Sequence, residues 1–139
     1  MMDQIQVPFE AFNIDPDEGQ RVIPTVAAFL DQHPDAPVSI AEVAAMAEVP
    51  ETTVKLVLYI LLALHHLKAA FRARCRTCGS ILSKPQTSMY AIWATARAGQ
   101  YWCEQCDAPV GIDDVEGELL FLKPGVEVMA MELGREGST

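Results

Sequence analysis

Cys75-Arg76-Thr77-Cys78 and Cys103-Glu104-Gln105-Cys106 hold every cysteine of this 139-residue chain, in two C-x-x-C pairs. Thiolates three residues apart can grip one metal ion from a single tight turn, and two such turns complete a tetrahedron. Gly79 follows the first pair, where a residue without a side chain lets the backbone fold beneath the metal. The pattern predicts one structural zinc ion per chain, with Cys75, Cys78, Cys103 and Cys106 as its ligands. A catalytic zinc keeps an open position and three protein ligands, whereas four cysteines close the shell. The metal is expected to build a surface and to perform no reaction.

Other uses of the cysteines explain less. Two disulfides need an oxidising compartment, yet Met1 to Gln20 is acidic and has neither the basic nor the apolar region of an export signal. A thioredoxin-like redox pair accounts for one C-x-x-C only. A rubredoxin-type iron site uses the same thiolates, but Asp107 follows the second pair where a glycine is expected. Zinc is therefore the reading, with iron and redox chemistry as its alternatives.

No enzyme is legible. His33, His65 and His66 form no H-E-x-x-H, and the chain has no glycine-rich phosphate loop and no nucleophile elbow. His65 and His66 close an expected helix, where histidine suits the negative end of the dipole. The longest apolar run, Leu56 to Leu64, is less than half of the roughly 20 residues that a membrane span needs. A cytoplasmic protein with no membrane partner is the expectation.

The net charge of −9 is segregated. Residues 1–67 carry ten acids and two bases, and residues 104–139 nine acids and two bases. Residues 68–103 between them carry six bases and no acid. Such a block is a candidate contact face for an acidic partner, although arginines near a four-thiolate zinc also offset its formal charge.

The elements that must position these groups can be read in turn. Asp15-Pro16-Asp17-Glu18 has the cap and first-position proline of a helix start, and predicts a first helix to about His33, kinked or restarted at Pro24. Ser39-Ile40-Ala41-Glu42 is a capping box, which opens a second helix to Ala47. After a turn at Glu48-Val49-Pro50, a third helix is expected from Glu51 to His66. Strand alternation over Lys68 to Arg76 sets Lys68, Arg72, Arg74 and Arg76 on one face and Phe71, Ala73 and Cys75 on the other. Further strands are expected at Ser88 to Ala94, Glu118 to Leu122 and Val126 to Met131, the last two joined by a turn at Lys123-Pro124-Gly125; residues 111–117 read as an acidic loop.

Val38 to Ala44, Val49 to Val54 and Leu61 to Ala69, with a core of Ile40, Val43, Val49, Val54 and Leu58, resemble a winged helix-turn-helix. Two hairpin-borne knuckles 24 residues apart resemble a zinc ribbon. The expected fold is α+β: an arm over 1–14, a three-helix winged module over 15–74, packed on an antiparallel zinc-ribbon β domain with a C-terminal hairpin over 75–133, and a tail over 134–139. That module order is similar to the amino-terminal half of the general transcription initiation factor E alpha subunit and its archaeal counterpart, with the four cysteines at the metal-ligand positions. The resemblance implies a transcription accessory that binds RNA polymerase.

Helix three argues against reading base sequence. Its outward candidates are Glu51, Thr52, Lys55, Tyr59 and Ala63, with one cation where a recognition helix needs polar and basic groups. Its all-round apolar character predicts packing against another chain, a homodimer included, or against the C-terminal hairpin. The candidate contact residues are Lys68, Arg72, Arg74 and Arg76, with Lys84 and Arg97 beside the aromatic residues Tyr90, Trp93, Tyr101 and Trp102. Two functions stay open: a transcription accessory that works through protein contacts with at most weak nucleic-acid binding, or an adaptor with no nucleic-acid role.

Overall fold

The structure, a computed structural model, describes residues 5–126. It is mixed α+β, with four α-helices among the described residues. These residues form two compact units, one of 5–68 with 121–126 and one of 69–120.

The first unit begins with a 3-10 turn, Phe9–Phe12, and then α1, Pro16–Gln32. Asp15 caps α1 by accepting from the Asp17 N–H at 2.9 Å, ahead of Pro16. The helix runs without a break through Pro24, where a kink or restart was expected. Burial of Val22, Ile23, Val26 and Leu30 on one stripe outweighs the lost backbone donor. After β1 (Val38–Ser39), α2 spans Ile40–Ala47 and carries the expected capping box: Ser39 Oγ accepts from Glu42 N at 3.1 Å, and Glu42 Oε1 from Ser39 N at 2.9 Å.

Helix α3, Glu51–Ala63, ends before the expected His66. His65 takes a left-handed conformation (φ 65°); its N–H bonds the Leu62 carbonyl, and the His66 N–H reaches the Leu61 carbonyl at 2.9 Å. That pair of bonds is a Schellman motif, which satisfies the last carbonyls and stops the helix. Val43, Val49, Val54 and Leu58 are buried as expected, while Ile40 is half-buried. Leu56 and Tyr59 face solvent, and the Tyr59 ring also lies 6.5 Å from that of Phe121.

Strands β2 (Lys68–Cys75) and β5 (Val115–Leu122) lie for the most part in the second unit, where they are neighbours in one sheet. Strand β5 starts at Val115, so the expected acidic loop shrinks to residues 111–114. Strands β3 (Trp102–Cys103) and β4 (Ala108–Pro109) pair antiparallel, with Cys103 opposite Ala108.

The stretch expected as a strand over Ser88 to Ala94 is instead helix α4, Met89–Arg97. Ser88 caps it by accepting from the Tyr90 N–H at 3.0 Å, and four alanines between 91 and 98 supply helix propensity. Ile92 and Ala96, one turn apart, are its buried pair. Met89 packs so closely on β5 that its sulfur leaves no room for a Cβ at Gly117. The expected strand from Val126 to Met131 lies outside the described residues except for Val126, which is not in a strand; the tail over 134–139 lies outside them as well.

Candidate metal centre

Local backbone geometry builds two matching knuckles. Cys75 ends β2 and Cys103 ends β3, and both are buried; Cys78 and Cys106 lie in the turns that follow and are exposed. In the first knuckle the Gly79 N–H closes on the Cys75 carbonyl at 2.7 Å, and the Cys75 N–H on the Ser80 carbonyl at 2.8 Å. In the second, the Cys106 N–H points at Cys103 Sγ, 3.4 Å away.

Gly79 has φ 79°, as its place after the first pair requires, and Asp107 takes φ 54° at the same place in the second knuckle. Aspartate is among the few residues that tolerate this conformation. The missing glycine therefore does not separate zinc from iron, contrary to the expectation from sequence.

The four sulfurs lie within 4.8 Å of one another. Cys75 and Cys106 are 3.8 Å apart, and Cys78 and Cys103 3.4 Å apart, well beyond the roughly 2.05 Å of a disulfide. A tetrahedral thiolate site with metal–sulfur bonds of about 2.3 Å has sulfurs about 3.8 Å apart. The residues fit a single tetrahedral ion.

The thiols compete for charge. Hydrogen bonds from the Ser80 hydroxyl and backbone lower Cys78 to about 6. Bonds with Cys78 and then Cys103 push Cys106 up to about 12. Close thiols cannot all ionise alone, because each thiolate raises the cost of the next. A dication removes that cost, so the donor set is chemically suited to a divalent metal.

The buried half of the cluster rests on a small core. Cys75 and Cys103 pack with Ala73, Ile92, Ala96, Tyr101, Val110 and Val115. Helix α4, inserted between the two knuckles in sequence, supplies Ile92 and Ala96 to that core. The Tyr101 hydroxyl is buried with no hydrogen-bond partner among the described residues. Trp102, next to Cys103, is exposed.

The basic ladder is spread over several internal partners. Lys68 Nζ donates to the Val126 carbonyl at 2.8 Å. Arg72 and Arg74 converge on Glu118 Oε1, their Nε atoms at 2.9 and 2.8 Å, and Arg74 also donates to the Gly79 carbonyl at 2.7 Å. Arg76 reaches the Val115 carbonyl at 3.3 Å. Lys84 and Arg97 are exposed and pair with no described residue.

Glu118 was not a sequence candidate. Burial alone would raise its carboxyl, but hydrogen bonds from Arg74 and Arg72 and their charges outweigh that and hold it below the ordinary carboxylate range. One signal was available: an acid at the head of the otherwise apolar run Leu119 to Leu122 calls for a counter-ion if that strand pairs with the arginine strand.

Among the described residues no helix is long and apolar enough to cross a membrane. In comparisons with protein-family models, curated proteins and solved structures, nothing matches this chain.

Proposed function

We propose that the chain is a non-enzymatic zinc protein, a transcription accessory or regulator that acts through protein contacts and binds nucleic acid weakly at most. The carrying observation is the cluster of Cys75, Cys78, Cys103 and Cys106, whose closed four-sulfur shell leaves a metal no open position for chemistry. Zinc is preferred over iron because it is the usual occupant of structural C-x-x-C pairs. Unbridged thiols also suit a reducing compartment, which supports placing the protein in the cytoplasm.

The transcription assignment rests on module order: three helices with a capping box and a short turn, a basic strand, then the cysteine knuckles. This order supports a winged helix-turn-helix followed by a zinc ribbon, as in the initiation factor E alpha subunit. Self-association through the exposed Leu56 and Tyr59 side of α3 belongs to the same proposal.

The adaptor reading, with no nucleic-acid role, gains from one observation. Arg72 and Arg74 share the carboxylate of Glu118, so one of their two charges is already countered and both side chains are held internally. Metal analysis of the purified chain, with a tagged full-length chain used to capture RNA polymerase from its own host's extract, tests both parts. Close to one zinc per chain and enriched polymerase subunits are expected. Iron or no metal overturns the zinc assignment, and a polymerase-free eluate overturns the transcription role.

A further inference from the structure

Helix α4 has two apolar faces. Ile92 and Ala96 enter the core, whereas Tyr90, Trp93, Ala94, Arg97 and Ala98 recur at helical spacing along the opposite side. With Ile112 they line an open, mainly apolar groove of about 370 Å³, all of it within the second unit. Tyr90 is 76% exposed, Trp93 48% and Ile112 38%. Single exposed apolar residues are ordinary, but a contiguous groove of this kind marks a contact surface. Tryptophan, tyrosine and arginine are also the residue types most enriched where protein interfaces concentrate their binding energy.

The charge pattern selects the occupant. Single-stranded nucleic acid needs a basic track along its phosphates. The lining of this groove has one cation, Arg97, where such a track needs several. A two-fold copy of the chain would have to be complementary to itself, yet no lining residue offers a carboxylate to Arg97. Arg97 has no partner among the described residues.

We propose that this groove docks an acidic, apolar segment of another protein, which seats a large aliphatic or aromatic side chain between Trp93 and Ile112 and sets a carboxylate against Arg97. The inference rests on the reading of the chain as a module that works through protein contacts, and it names the surface and the chemistry of one partner. Alanines 94 and 98 leave room for the inserted side chain, and the arginine fork fixes its direction by a bidentate bond.

A library of random displayed peptides, panned against the full zinc-loaded chain, tests this. The enriched peptides, labelled, are then titrated by fluorescence anisotropy. They are expected to combine a bulky apolar residue with Asp or Glu, and to bind Trp93→Ala more weakly by roughly tenfold or more, the scale of a hot-spot truncation. Panning against Arg97→Glu should select Lys or Arg in place of the acid. Zinc content and circular dichroism should match the parent in both variants.

No enrichment overturns the proposal, as do peptides whose affinity survives Trp93→Ala. An oligothymidylate probe that binds more tightly than the peptides and is lost in Trp93→Ala makes the groove a nucleic-acid surface instead. Self-association that disappears in Trp93→Ala by light scattering makes its occupant a second copy. Any of these results, with zinc content and polymerase capture intact, removes the acidic segment as the groove's occupant and leaves the zinc and transcription assignments standing.

Discussion

The four cysteines separate two kinds of residue effect. Cys75 and Cys103 anchor a buried core as well as offering ligands, whereas Cys78 and Cys106 are exposed and contribute chiefly as ligands. Cys78→Ser and Cys106→Ser therefore isolate the metal's contribution. Each is expected to lose bound zinc, read by release to a chromogenic chelator, and to unfold the second unit, because metal affinity is folding energy in small thiolate modules. A folded, zinc-replete Cys106→Ser variant would contradict this.

Glu118 yields a prediction with a sign. Its carboxyl sits below the ordinary range in the fold, so it contributes stability above the unfolded carboxyl pKa of about 4.3 and loses it as pH falls through the lower folded value. Glu118→Gln should lose roughly 1–3 kcal/mol at neutral pH, as expected for hydrogen bonds to charged groups, measured by urea unfolding. In acid the two proteins' unfolding midpoints should converge. A gap that persists there would mean that the side chain acts by packing alone. For the same reason Arg72 and Arg74 are poor probes of external contacts, since neutralising both strands a part-buried carboxylate. Lys84 and Arg97 are the cleaner ones.

At the scale of elements, α2 depends on its capping box and α3 on its buried stripe. Ser39→Ala is expected to cost about 1 kcal/mol, read from the urea midpoint, because it removes the acceptor for the Glu42 N–H. On α3, Val54, Val57, Leu58 and Leu61 are buried, while Leu56 is 45% exposed. Leu56→Glu should leave the fold intact and reduce the light-scattering mass to that of one chain. An unchanged mass would remove α3 from any self-contact.

At the scale of the molecule, the two units draw on different forces. The first buries aliphatic side chains from three helices, and the second packs a short core beside its sulfurs. Small cores of the second kind need a staple such as a metal. Chelation is therefore expected to abolish the tertiary near-ultraviolet signal of Tyr101 and Trp102 while most far-ultraviolet helical signal, from α1 to α3, persists. Simultaneous loss of both signals would show that the metal supports the whole chain.

Sequence alone determined what depends on neighbours along the chain. The C-x-x-C spacing marked the four cysteines that cluster, Ser39 and Glu42 marked a helix start, and alternation marked β2, because each signal is complete within a few residues. The segment from Ser88 to Ala94 reads as a strand because Tyr90, Ile92 and Trp93 are residue types that strands favour; its register as a helix is fixed by Ile92 and Ala96 reaching residues distant in sequence. Tertiary structure likewise decided that Arg72 and Arg74 meet Glu118, more than forty residues away. It also decided that Tyr90 and Trp93 stay outside. Whether a charge is countered or a ring is covered depends on which strands and faces meet, and spacing along the chain does not carry that information.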